Sequence, residues 1–198
     1  MPLDQSSDTV ITGLTNLPEF AQGLVRDIRI RWALEEMGRS YRVKLFDAMT
    51  PRPDDYLQWQ PFGQVPAFED GKVKLFESGA VLLYLGEQDE RLLPREPQAR
   101  ADTTAWLIAA LNSVEPASMQ IVTLDVFKAG EPWAAEARGS AVEFAEMRLG
   151  RLAEALDGRE WLTGRFSIAD IMMVTVLRNI RHTNIVAGYP TLAAYQAR

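Results

Sequence analysis

Cysteine is absent from all 198 residues, and histidine occurs once, as His182. The first absence excludes a disulfide framework, a thiolate metal site, a CxxC redox pair and a cysteine nucleophile together. The second leaves His182 without a partner for a metal site or a catalytic triad. Thiol chemistry, if there is any, must use a thiol brought by a substrate. Cations are in deficit too: 21 Lys and Arg stand against 27 Asp and Glu, a formal net charge of −6. A phosphate backbone is bound through surplus cations, so no nucleic-acid partner is expected. Long hydrophobic runs are also missing. The longest, Ile168 to Leu177, is interrupted by Asp170 and Thr175 and falls far short of the roughly 20 residues that cross a bilayer. The opening "MPLDQSSDTV" has no basic-then-apolar leader, so a cytoplasmic protein with no membrane partner is expected.

What is present suits a globular chain: 47% hydrophobic and 24% charged residues, enough at this length for one substantial core or two small ones. "DTVITGL" (8–14) is β-branched and stops at the turn-prone "TNLPEFAQG", predicting a strand and a loop. In "LVRDIRIRWALEEMG", Ile30, Ala33, Leu34 and Met37 fall at i, i+3, i+4 and i+7, with Gly38 as a stop. That is an amphipathic helix, and Arg26, Arg29 and Arg31 read as its solvated face. "SYRVKLFDA" (40–48) alternates Tyr41, Val43 and Leu45 with Arg42 and Lys44, as a strand with one wet face does. A short helical turn is predicted at "DDYLQW". Asp70-Gly71, between "VPAFE" and "KVKLF", then predicts a two-residue type I′ hairpin. "ESGAVLLYLGEQ" follows as a helix capped by Ser78.

"RLLPREPQAR" (91–100) reads as a linker, and everything after it reads as helical. One long or broken helix runs to Phe127 with a kink near Pro116. A second is apolar at Phe144, Met147, Leu149, Leu152 and Leu156; "FSIADIMMVTVLRNIR" and "YPTLAAYQAR" supply two more. In "FSIADI", Ser167 and Asp170 have the spacing of a capping box, and Phe166 and Ile171 that of a hydrophobic staple.

"PFGQVPAF", "FES" and "FSIAD" occur in the order and spacing of the cytosolic glutathione S-transferases, which the chain resembles from about residue 9 onward. The resemblance implies an α/β thioredoxin-like N-terminal domain (1–92) that binds glutathione. An all-α C-terminal domain (97–198) follows and contributes the pocket for a small electrophilic substrate. It also implies a homodimer, a role in detoxification, glutathione as co-substrate and no metal. Pro66, whose missing N–H is tolerated at a strand start, would follow a cis bond that turns the Val65 main chain outward toward the cysteinyl backbone of glutathione. Glu77 and Ser78 would hold the γ-glutamyl end, the hydroxyl and helix-start amides taking its carboxylate. Gln64, where many members carry a longer basic residue, would donate without adding charge. Many members also continue beyond the point at which this chain is expected to stop.

One part of the family pattern is missing. Members activate the glutathione thiol with a hydroxyl or a cysteine near the end of the first strand or the start of the first helix. Here the tyrosine-type position falls near Phe20, which has no donor, and the serine-type position near Asp27, whose charge opposes a thiolate. Thr15 is the preferred donor, with Asn16 next and the helix-start amides near Arg26 as a third choice; turn chemistry explains Thr15-Asn16 equally well. Three functions stay open: a glutathione S-transferase acting on an electrophilic or peroxide substrate, a non-catalytic module holding glutathione or a protein, and a glutathione-dependent isomerase or dehalogenase.

Overall fold

The computed structural model describes residues 2–71 and 73–198, and the chain falls into two compact units that divide between Leu93 and Pro94. In the first unit, β1 (Val10–Thr15) leads through a 3-10 turn at Glu19–Ala21 to α1 (Asp27–Met37) and β2 (Arg42–Asp47). Then come α2 (Asp54–Trp59), β3 (Ala67–Glu69), β4 (Lys74–Phe76) and α3 (Ser78–Gly86). The sheet order is β2-β1-β3-β4, with β2 parallel to β1 and the other pairs antiparallel. This βαβ–ββα succession is the thioredoxin-like arrangement.

Its core forms where α1 contributes Ile30, Ala33 and Leu34, α3 contributes Val81, Leu82 and Leu85, and β1 contributes Val10 and Ile11, all buried. Each of the buried valines, leucines and isoleucines stabilises the unit by about 1.5–3 kcal/mol. Helix α1 approaches β1 closely at Gly13, where a Cβ would lie 2.8 Å from Asp27 Oδ2. Gly38 closes α1 in the left-handed region at φ 65°.

Two local expectations are corrected here. The alternation expected of β2 fails, since β2 is an edge strand and Leu45 is 54% exposed. Asp70 does not stand at the centre of the hairpin turn: the register Glu69↔Lys74, with Asp70 N–H donating to Val73 C=O at 3.3 Å, makes Asp70 and Val73 a pair. Asp70 Oδ1 also accepts from the Val73 amide at 3.0 Å, a bond that draws Asp70 into the ladder.

The second unit is helical among its described residues. Its first helix begins at Pro97, inside the expected linker, with Glu96 as N-cap accepting from the amides of Gln98 and Ala99. Helix α4 (Pro97–Ala109) continues through a π segment (Ala110–Val114), α5 (Glu115–Val122) and a second π segment (Thr123–Phe127). Pro116, the second residue of α5, lies in the turn after the first π segment. Its missing N–H and bulky ring disrupt an α-helical ladder, and the wider register accommodates them. By length and composition this joined helix could cross a bilayer, yet half of its most apolar stretch is buried, as in a core helix.

Helix α6 (Pro132–Ala155) buries Ala134, Ala141, Ala145, Leu149 and Leu152 and leaves Phe144 and Met147 exposed, so its inward stripe is narrower and more alanine-rich than expected. Helix α7 (Ile168–Leu177) is buried along its whole length, and α8 (Pro190–Gln196) follows. Ser167 caps α7: its Oγ accepts from Ala169 N at 3.3 Å, and its own amide donates to Asp170 Oδ2 at 2.9 Å.

Candidate functional site

The segment 64–67 is held from beneath by side chains of β1 and α2. Buried Tyr56 donates its hydroxyl to the Gln64 carbonyl at 2.5 Å, and Thr12 Oγ1 lies 2.9 Å from the Tyr56 oxygen. Thr12 Oγ1 also accepts the Ala67 amide at 2.7 Å. From the other side, the Gln60 side-chain oxygen accepts the amides of Phe62 at 2.7 Å and Gln64 at 3.1 Å. The flanking polar groups are thereby consumed inside the unit. Between them the Val65-Pro66 bond is cis, and neither the N–H nor the C=O of half-buried Val65 bonds to any described residue. The Gln64 side chain is exposed.

The β3–β4 hairpin carries the chain from this segment to the start of α3. Because Ala67 pairs with Phe76, Pro66 and Glu77 lie at the two neighbouring ends of the same hairpin. Ser78 is the first helical residue and not the cap; the cap is exposed Glu77, at φ 68° and with no side-chain capping bond. A positive φ at a residue with a side chain costs about 1 kcal/mol or more and persists only where its surroundings enforce it. Val81 is the first amide of α3 to find a carbonyl, that of Glu77 at 3.0 Å. The amides of Ser78, Gly79 and Ala80 have no partner among the described residues.

Behind this helix start sits Arg29, 1% exposed, whose Nη1 donates to Ser78 Oγ at 3.1 Å. The expectation that Arg29 lies on a solvated face is wrong. It stands four residues before Ala33, on the buried stripe itself, and the buried guanidinium adds positive charge where the helix dipole is already positive. An exposed acid, a held hydroxyl, free amides and a buried cation together suit a ligand bearing both a carboxylate and an ammonium.

The residues considered for thiol activation are spread over the loop after β1. Thr15 is exposed, and its hydroxyl bonds to no described residue while its carbonyl accepts from Ala48 N at 3.0 Å. Asn16, at φ 55°, donates its amide to Asp47 Oδ2 at 2.6 Å and is thereby occupied. Phe20 lies in the 3-10 turn. Asp27 is turned inward: Arg31 Nε donates to Oδ2 at 2.7 Å, and burial nevertheless raises its carboxyl above the usual 3.8. Tyr41 is engaged elsewhere; its hydroxyl donates to Glu35, and burial first, then that bond, pushes it up to about 12.

Thr12, Tyr56, Gln60 and Arg29 escaped the reading of the sequence. Only Arg29 left a local signal, its place on the apolar stripe. In the second unit, an open groove of about 770 Å³ runs along α4 and the first π segment, lined by Pro97, Arg100, Thr104, Ile108, Asn112 and Ser113 among others. His182 lies 3.2 Å from Asp125, which also receives Arg138. No cluster of metal-ligating side chains occurs among the described residues.

Comparison with known proteins agrees with this fold. Residues 22–87 match the family model for the N-terminal domain of glutathione S-transferase. Over 143 residues the chain is 27% identical to a glutathione S-transferase of Hyoscyamus muticus, an alignment covering 68% of this chain and 66% of that protein. Over 156 residues it is 29% identical to glutathione S-transferase F11 of Arabidopsis thaliana, covering 73% and 71%. The chain thus spans about two thirds of the length of these curated relatives. A glutathione transferase family member from Pseudomonas fluorescens, solved with two glutathione bound, superposes with a TM-score of 0.83 at 25% identity, over 96% of this chain and 86% of that one.

Proposed function

Because this chain belongs to the cytosolic glutathione S-transferase family, we propose that it binds glutathione in its thioredoxin-like unit and acts as a glutathione transferase. The observation that carries the reading is the open main chain of Val65, bracketed by a Gln64 carbonyl and an Ala67 amide already spent inside the fold. An extended peptide adds to such an edge as a strand does, through its own amide and carbonyl. The cysteinyl residue of glutathione pairs there. Its γ-glutamyl carboxylate meets Ser78 and the free amides of α3, its ammonium meets Glu77, and Gln64 donates from the rim.

The thiolate of bound glutathione is the nucleophile. Its sulfur forms a bond to an electrophilic carbon while a leaving group departs with its electron pair, or to a peroxide oxygen while the O–O bond breaks. Thr15 is the donor to the thiolate, since Asn16 is held by Asp47 and Asp27 by Arg31. Within the helical unit, the groove along α4 offers apolar contact to a small electrophile through Ile108 and its alanines. Family membership supports a cytoplasmic homodimer working in detoxification.

One feature of the sequence favours a second reading, a module that holds glutathione without turnover: the positions at which the resemblance implies an activating hydroxyl or thiol fall near Phe20 and Asp27, and neither can supply one. Capture on immobilised glutathione followed by a conjugation assay with a generic aromatic electrophile separates the two. Retention with turnover supports the transferase, retention without turnover supports the module, and no retention sinks both.

A further inference from the structure

We infer that Tyr56 and Thr12 are positioning residues for glutathione, joined in a one-way chain of buried hydrogen bonds that presents the Val65 main chain to the ligand. The inference rests on the reading of Val65 as the pairing edge. The direction of the chain follows from its ends. The Ala67 amide can only donate, and the Gln64 carbonyl can only accept. Tyr56 has one hydroxyl proton and places it on Gln64 at 2.5 Å, so at the 2.9 Å contact Thr12 donates and Tyr56 accepts. The other acceptor near Thr12, the Ala67 carbonyl at 3.5 Å, is at the limit of a hydrogen bond. Protons therefore run from Ala67 N–H through Thr12 and Tyr56 to Gln64 C=O.

The chain binds both ends of a four-residue segment and neither of its two middle residues. Thr12 and Tyr56 are buried, so loss of either hydroxyl leaves main-chain groups without a partner at a site where water does not readily replace it. Burial also raises the Tyr56 hydroxyl above its usual 10.0, which keeps it a donor across the neutral range. The ring has separate support, 4.5 Å from Phe46 and 6.1 Å from Trp59 between centroids, so removal of the hydroxyl alone leaves the packing in place.

Calorimetric titration of the full chain with glutathione, and with the analogue N-methylated at the cysteinyl amide, tests the inference. The wild type should prefer glutathione by about tenfold, the worth of one well-aligned hydrogen bond. Tyr56→Phe should lose about that factor for glutathione only, so that its preference falls within roughly twofold. Thr12→Val should behave alike and Thr12→Ser like the wild type; the Thr12 pair carries the test if Tyr56→Phe does not fold. Equal binding of both peptides by the wild type overturns the Val65 edge and this inference with it. Wild-type preference preserved in Tyr56→Phe and Thr12→Val overturns the inference alone.

Discussion

Arg29 and Ser78 meet beneath the first turn of α3, guanidinium Nη1 to hydroxyl oxygen at 3.1 Å. The serine oxygen accepts from the arginine, so its proton is left to donate, and in the proposed complex that proton would go to the carboxylate at the helix start. Under the proposed reading, a buried cation that serves the fold would also support the carboxylate site.

Ser78→Ala should weaken glutathione binding about tenfold while removing one acceptor from Arg29, at a cost of about 1–3 kcal/mol in unfolding free energy. Titration calorimetry and urea denaturation read the two effects separately. Unchanged affinity in a destabilised variant would show that Ser78 serves the core and not the ligand.

Thr15→Ala should leave glutathione affinity near the wild-type value and raise the pKa of the bound thiol, seen as loss of thiolate absorbance near neutral pH, with kcat reduced about tenfold or more. Asn16→Ala, which breaks a contact with Asp47, should leave the thiol pKa alone. A thiol that titrates identically in all three proteins removes Thr15 from the mechanism.

In the helical unit, Ser167→Ala should cost about 1 kcal/mol as the loss of a cap. Asp170→Ala should cost about 3 kcal/mol or more, since that carboxylate accepts from the amides of Leu162 and Ser167 and from the hydroxyls of Ser167 and Tyr195, all buried. Equilibrium unfolding in urea measures both, and equal costs would contradict the assignment of Asp170 as the hub.

Asp125 supplies the pH dependence of the second unit. Hydrogen bonds from Arg138 first, and from His182, hold its carboxyl below the usual 3.8 against the opposing effect of burial. A depressed folded value means that the contribution is fully present above 3.8 and is lost as pH falls through the lower folded value. Arg138→Gln, at a half-exposed pair, should therefore cost about 0.5–1 kcal/mol at neutral pH. The difference from the wild type should vanish once Asp125 is protonated, and denaturation midpoints across the acid range check the convergence.

Local signals survived translation into structure where both partners are close in the chain. The capping box at Ser167 and Asp170 spans three residues, Gly38 ends α1 by its own backbone freedom, and the stripe Ile30, Ala33, Leu34 follows from the helical period. Signals failed where one residue's neighbourhood depends on a distant element. Phe144 and Met147 have the right spacing for a core and remain exposed, and Arg29, read as part of a solvated face, is buried against Ser78, 49 residues away.

The letters alone determined the family resemblance, the division into an α/β part and a helical part, and the absence of any thiol from the chain, because motif order, periodicity and composition are properties of the string. Only the tertiary structure decided that Arg29 turns inward to Ser78 and that Thr12, 44 residues from Tyr56, closes a hydrogen-bond chain around Val65. Hydrogen bonds of that kind are set by which buried donors and acceptors the fold brings within about 3 Å of one another, and no periodicity along the chain encodes that meeting.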